Sequence, residues 1–246
     1  MTDQLEQQTA IVTGASAGIG AATCREFADA GANVVLAARS EGDLEQLADD
    51  LETDHGVETL VVPTNVREEG DVDALIDETV DRFGGIDVLV NNAGLSRGSE
   101  VAEMSTEEYE TMQETNVDGV FYATRAALPH VREREGNLIF LGSFAGYYPR
   151  PFNPIYAATK WWVRGFAKSV AAQAGDDDVG VSVINPAEVR SEFETASGET
   201  FAEAYDEDEA SAPEEVAEAI RFVASQDHSS VSELDINRRD KFADTF

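Results

Sequence analysis

Tyr156 and Lys160 stand four residues apart in IYAATKWWV, and Ser143 precedes the tyrosine by thirteen residues in FLGSFAG. On a helix, positions i and i+4 share a face, so a phenol and an ammonium at this spacing converge on one point. A tyrosine is a poor base near neutrality, its unperturbed pKa being about 10. A buried cation within a few ångströms favours the phenolate and draws that value towards neutral pH. Ser143 closes the apolar run NLIFLGS, a buried strand that would deliver its hydroxyl to the carboxyl edge of a sheet. Together the three residues form a proton-transfer device. The plain alternative is an aromatic on a core helix beside a snorkelling lysine.

The elements that must position them begin in the first forty residues. TAIVTGASAGIGAATCREFADAGANVVLAAR alternates strand, glycine-rich turn, helix and strand. Thr9 to Val12 form a short apolar, β-branched run; Gly14, Gly18 and Gly20 occupy the turn; Ile19 to Ala30 carry helical periodicity. Glycine lets a backbone approach a pyrophosphate closely, and a helix N-terminus offers free N–H groups and a positive dipole end. The spacing G-x-x-x-G-x-G departs from the usual G-x-G-x-x-G of dinucleotide sites.

Strand-like runs at 8–13, 33–38, 58–62, 86–90, 136–141, 179–184 and 231–236 alternate with helical segments, which predicts an α/β fold with a parallel, doubly wound sheet. The 246 residues suit one domain, and no linker or longer repeat divides them. No apolar stretch is long enough to span a membrane, and the polar N-terminus is no signal peptide, so a cytoplasmic location is expected. Cys24 is the only cysteine, which excludes an intrachain disulfide.

TGASAGIG, NNAG at residues 91–94, Asn116, Ser143, Tyr156 and Lys160 occur in one order over nearly the whole chain. This series resembles the short-chain dehydrogenase/reductase family. The resemblance implies a single-domain Rossmann-type fold, a seven-stranded parallel sheet with helices on both faces. It implies that Tyr156 is the general acid/base, that Lys160 lowers its pKa and holds the nicotinamide ribose, and that Ser143 binds the reacting oxygen. Asn116 would hold a water linking Lys160 to solvent. Gly14, Ser16, Gly18, Ile19 and Gly20 would cradle the pyrophosphate, Asn65 and Val66 would lie near the adenine, and Asn92, Ala93 and Gly94 would flank the cofactor after the fourth strand. In VINPAEVRSEFE, Pro186 and Val189 match the family's loop over the nicotinamide, Ala187 replaces its glycine, and Ser191 stands for its threonine. No metal is expected.

Cofactor choice rests on the end of the second strand, NVVLAARS. An acid there would bind both adenosine ribose hydroxyls and repel a 2′-phosphate. This chain instead has Ala38 followed by Arg39 and Ser40. A guanidinium matches a phosphate bidentately and stacks on adenine, which favours NADP over NAD. Asn65 stands where the family places an aspartate.

Forty-nine acidic residues against seventeen basic ones give a formal net charge of −32, and the only lysines are Lys160, Lys168 and Lys241. The acids recur in EGDLEQLADDLETD and REEGDVDALIDETVD between apolar positions at helical spacing, so they read as solvated helix faces. Such a surface rejects nucleic acid and anionic membranes. Acidity with so little lysine resembles proteins of salt-in halophiles.

The candidate substrate pocket comprises Phe144, Tyr147, Tyr148, Arg150, Phe152, Asn153, Glu188, Arg190 and Phe193. A hydroxy acid needs a cation for its carboxylate, and Arg150 or Arg190 could supply it; alternatively both pair with the abundant acids. The stretch GSFAGYYPRPFNPIYAATKWWVRGF and the C-terminus resemble the 3-hydroxy acid and serine dehydrogenase branch. A broad carbonyl reductase, a 3-oxoacyl reductase, or an NADP-binding regulatory protein without chemistry are the alternatives. Residues 187–212 are expected to form a substrate lid, and 229–246 an interface segment. Apolar residues on the long helices expected at 106–133 and 154–175 suggest a homotetramer.

Overall fold

A computed structural model describes residues 5–97, 100–193, 199–206 and 209–241. Seven short runs of β-branched and apolar residues form strands β1 (Thr9–Thr13), β2 (Asn33–Ala38), β3 (Thr59–Pro63), β4 (Val88–Asn91), β5 (Asn137–Leu141), β6 (Gly180–Pro186) and β7 (Glu233–Ile236). All are parallel, in the order β3-β2-β1-β4-β5-β6-β7. Every strand begins within two residues of its expected start. Strand β6 runs two residues further, because Asn185 and Pro186 pair with Asp235 and Ile236 of β7.

Both faces of the sheet are covered, which is why the strands read as continuous apolar runs. Val12, Leu36, Val90 and Ile139 pack towards helices α1 (Gly18–Asp29), α2 (Glu41–His55) and α8 (Pro213–Ala224). Ile11, Val35, Leu89 and Phe140 face the other way, into α3 (Glu69–Phe83), α5 (Gly119–Glu133) and α6 (Pro154–Ala174). This is a single Rossmann-type domain. The acidic runs take the outer faces: in α2, Glu41, Asp43, Glu45, Asp49 and Asp50 are exposed while Leu44, Leu47 and Leu51 are buried.

The expected helix over 106–133 is interrupted. Helix α4 (Thr106–Gln113) passes through a π-helical turn, Glu114–Asp118, before α5. The Gly119 N–H reaches back to the Glu114 carbonyl, a step of five residues. Gly119 permits this because the wall is close: a Cβ there would lie 2.9 Å from Val66 Cγ2. The turn buries Thr115, Asn116 and Val117 together, more than one residue of an ordinary helical stripe.

The strand order reverses between β1 and β4, where open α/β sheets form their ligand crevice. Side chains tie these two carboxyl ends together. Thr13 Oγ1 donates to the Val90 carbonyl at 3.1 Å and accepts from Asn92 N at 3.0 Å. Asn92 Nδ2 donates to the Thr13 carbonyl at 2.8 Å and the Gly14 carbonyl at 3.1 Å. At the far edge, Glu233 of β7 meets Arg164 and Lys168 of α6.

Candidate active site

A cavity of about 810 Å³ opens over the carboxyl ends of the strands. One half is built by the turn between β1 and α1. Gly14 and Gly18 have φ of +68° and +53°, and a Cβ at Gly14 would strike Asn92 Nδ2 at 2.9 Å, so a side chain is excluded there twice over. Helix α1 is preceded by Ala17, which offers no side-chain cap, and has no acid in its first turn, whereas α2, α3 and α8 each begin with two acids. Its free N–H groups therefore face the cavity as an anion site. Among the described residues, five basic side chains line the cavity (Arg39, Arg67, Arg97, Arg150, Lys160), but only two acidic ones (Glu188, Glu192). A chain of charge −32 has kept one groove cationic. A glycine cradle, an uncapped helix and this charge fit a dinucleotide with its phosphates.

Ser16, Gly18 and Ile19 line the cradle; Arg39, Ser40, Asn65 and Val66 line its outer end; Asn92, Ala93 and Gly94 form one wall; Pro186, Val189 and Ser191 form the opposite one. Gly20 is a correction. It does not line the cavity but packs behind it, where a Cβ would lie 2.1 Å from the Gly14 carbonyl oxygen. Arg39 is exposed and makes no ion pair or hydrogen bond with any described residue, while Arg67 is engaged by Glu114 and Arg150 lies near Glu188.

The other half of the cavity holds Ser143, Tyr156 and Lys160. Asn153 accepts from Tyr156 N at 3.2 Å and Pro154 starts the first turn, so the NP pair fixes where α6 begins and hence where Tyr156 points. Asn153 Nδ2 also donates to Ser96 Oγ at 2.6 Å, holding the loop after β4. Lys160 is only 6% exposed; its Nζ donates to the Leu141 carbonyl at 2.8 Å and lies 5.9 Å from the Tyr156 ring centroid. Burial pushes the Lys160 ammonium down to about 8.

Burial also raises the Tyr156 phenol above its ordinary value, against the smaller opposing pulls of Ser143 and the Arg150 charge. This corrects the expectation that Lys160 draws the phenol down. Desolvation disfavours the phenolate, and the same burial weakens the charge that Lys160 brings. Asn116 lies behind the wall rather than in the cavity. Its Oδ1 accepts from Leu95 N at 2.9 Å, and its Nδ2 donates to the Leu95 carbonyl at 2.8 Å and Thr159 Oγ1 at 3.1 Å. Both amide protons are thus spent on bracing, and the expected water would need another of its atoms.

Among the expected substrate residues, Arg150, Phe152, Asn153, Glu188 and Phe193 line the cavity. Phe144, Tyr147, Tyr148 and Arg190 do not. After Ser143 the chain makes a 3-10 turn, Phe144–Gly146, which buries Phe144 and stacks it on Tyr148 at 4.3 Å. Tyr147 turns towards Arg164, and Arg190 Nε donates to the Tyr205 carbonyl at 3.2 Å. In the expected lid, Val189 bridges Ser211, and a short helix α7 (Phe201–Ala204) packs Phe201 on Phe193, which meets Tyr156 at 5.7 Å. Residues 194–198 and 207–208 of that lid, and 242–246 of the expected interface segment, lie outside the described residues. Phe201, Tyr205 and Thr115 line the cavity without having been legible; nothing in their local sequence marks them. Lys241, which reaches Glu188, carried one signal: it is one of only three lysines.

A family model described as short chain dehydrogenase matches residues 8–201. An uncharacterized oxidoreductase of Staphylococcus epidermidis is 30% identical over 235 residues, covering 95% of this chain and 98% of the relative. Among solved structures, an alcohol dehydrogenase from the archaeon Thermococcus sibiricus, complexed with 5-hydroxy-NADP, superposes with a TM-score of 0.87 at 30% identity, covering 94% of this chain and 96% of that one. A 3-ketoacyl-(acyl-carrier-protein) reductase from Brucella melitensis, complexed with NADH, gives a TM-score of 0.84 at 28% identity, covering 94% and 97%.

Proposed function

The chain belongs to the short chain dehydrogenase family of oxidoreductases, and on that premise we propose that it is an NADP(H)-dependent enzyme interconverting a secondary alcohol, in particular a 3-hydroxy acid, and its ketone. The observation that carries this is the meeting of Tyr156, Lys160 and Ser143 in the same cavity as the uncapped α1 N-terminus. A bound nicotinamide supplies or accepts the hydride. In reduction, the Tyr156 phenol gives its proton to the substrate oxygen while the Ser143 hydroxyl donates a hydrogen bond to it; in oxidation both steps run backwards. Donors aimed at a developing oxyanion each contribute on the order of 2–4 kcal/mol. Burial that keeps Tyr156 protonated suits the reductive direction near neutrality.

Preference for NADP is supported by Arg39, which directly follows β2 and has no partner among the described residues, in a chain crowded with acids. The cradle would hold the pyrophosphate, and Ser191 with the 92–94 turn would flank the nicotinamide.

A broad carbonyl reductase is the second reading, favoured by the aromatic wall of Phe152, Phe193 and Phe201. NADPH oxidation with a panel of ketones and 3-oxo acids decides. Turnover lost in Tyr156→Phe is the expected result. Stoichiometric NADPH binding without turnover of any compound would make the chain a non-catalytic sensor.

A further inference from the structure

Arg150 presents a guanidinium with unused donors to the substrate half of the cavity. Its side chain is 21% exposed, stacks 4.8 Å from the Phe144 ring centroid and lies 5.7 Å from that of Phe152. The nearest carboxylate, Glu188 Oε1, is 3.6 Å away, beyond hydrogen-bonding range. The Arg150 side chain donates no hydrogen bond to any described residue. Five N–H donors on a mostly buried fork are costly to leave unmatched.

Glu188 is in the opposite condition. Lys241 Nζ donates to its Oε1 at 2.6 Å and more closely still to its Oε2. Burial alone would raise the Glu188 carboxyl, but the Lys241 hydrogen bonds, its own backbone and the Lys241 and Arg150 charges outweigh it and hold it below the usual range. Lys241 is itself fixed, 19% exposed and 4.7 Å from the centroid of the Phe144 ring that Arg150 also contacts. The three charges sum to plus one. Because Lys241 has claimed the carboxylate, the uncompensated charge resides on Arg150, which lines the cavity with Tyr156 and Ser143.

We propose that Lys241 is a positioning residue for substrate specificity: by holding Glu188 it leaves the Arg150 fork to receive the carboxylate of an oxo- or hydroxy-acid substrate. A planar fork matches a carboxylate through two parallel hydrogen bonds, and a single net positive charge suits a monoanion better than a phosphate. Without Lys241, the Glu188 carboxylate would close the short gap to Arg150 and occupy the receptor itself. The proposal rests on the oxidoreductase function proposed above, and its test separates the two.

Acetoacetate and its methyl ester differ by one charge and share the reacting ketone. With NADPH at one fixed high salt concentration, the wild type should prefer the acid in kcat/KM. Lys241→Gln should reduce that preference by about tenfold or more, carried by KM. Glu188→Gln in the Lys241→Gln background should restore it, since a neutral amide no longer competes for Arg150. A merely structural lysine would not be rescued by changing its partner. Circular dichroism of each variant establishes that it is folded. Preference retained in Lys241→Gln, or no rescue in the double variant, overturns the proposal. Turnover of the ester without preference for the acid overturns it while leaving the oxidoreductase standing. Turnover of neither probe nor any ketone in the wider panel removes both.

Discussion

Lys160 Nζ lies 5.9 Å from the ring centroid of Tyr156 and gives its hydrogen bond to the carbonyl of Leu141, the last residue of β5, two positions before Ser143. The lysine is therefore anchored to β5 rather than spent on the phenol, and the pair can act in sequence. Tyr156→Phe should lower kcat about a hundred- to ten-thousand-fold, the usual contribution of a positioned acid, with NADPH affinity almost unchanged. Lys160→Arg retains the charge but should still fail, because a site 6% exposed has no room for a guanidinium fork. Near-normal turnover in Tyr156→Phe would mean that another group moves the proton.

The pH profile should carry the mark of Lys160. Its ammonium is fully charged well below pH about 8 and neutral above, while Tyr156, raised by burial, remains a phenol throughout this range. The kcat/KM for NADPH in ketone reduction, which reports groups of the cofactor-free enzyme, should thus be level below this point and fall as pH rises through about 8. A profile level to pH about 10 would show that the lysine charge is not required.

Much of this was legible in the sequence, for identifiable reasons. Strands buried on both faces leave continuous apolar runs, and Tyr156 and Lys160 share a helix where spacing alone fixes their common face. What was not legible depends on distant contacts or on backbone choice. The π turn at Glu114–Asp118 closes at Gly119, whose lack of a side chain lets it pack against Val66, fifty-odd positions away in the sequence. Phe144 sits beside Ser143 in sequence, yet a 3-10 turn sends it behind the wall. Lys241 meets Glu188 across a separation of 53 residues. The direction of the Tyr156 shift follows from burial, which no local pattern states.

Cofactor discrimination should follow Arg39. It has no described partner to lose, so Arg39→Asp replaces an available phosphate receptor with a carboxylate that repels a 2′-phosphate and accepts from ribose hydroxyls. The ratio of kcat/KM for NADPH over NADH should shift towards NADH by on the order of a hundredfold, a loss and a gain of charge-assisted bonds combined. A ratio that does not move would exclude Arg39 from recognition of the adenosine end.

Oligomeric assembly should involve the outer surface of α4, α5 and α6, where Tyr109, Phe121 and Trp161 are 44%, 39% and 49% exposed. Aromatics of this size on neighbouring helices fit a two-fold contact. Light scattering in high salt should give a tetramer, and Trp161→Glu should reduce the mass; a monomeric wild type would refute the contact.

Salt should govern stability as a whole. The acids of α2 and α3 stand on exposed faces over buried leucines, so their mutual repulsion acts outward and opposes compaction without disturbing the core. Ion pairs such as Arg82 with Glu58 and Arg125 with Glu69 draw on the seventeen basic residues already counted, so the whole net charge of −32 stays uncompensated. Screening shortens from about 10 Å at 0.1 M salt to about 3 Å at 1 M, less than the spacing of successive helical turns. Repulsion between turns therefore largely vanishes in concentrated salt, while surface pairs are worth too little to lose. The melting temperature by circular dichroism should rise from about 0.1 M to about 3 M salt, and desalting should remove structure and activity together. The same rise is expected with a chloride salt as with a sulfate if screening is the cause, whereas a rise confined to sulfate would point to strengthened burial of apolar surface instead. A melting temperature that stays constant across the series would show that the charge is accommodated in the fold without help from salt.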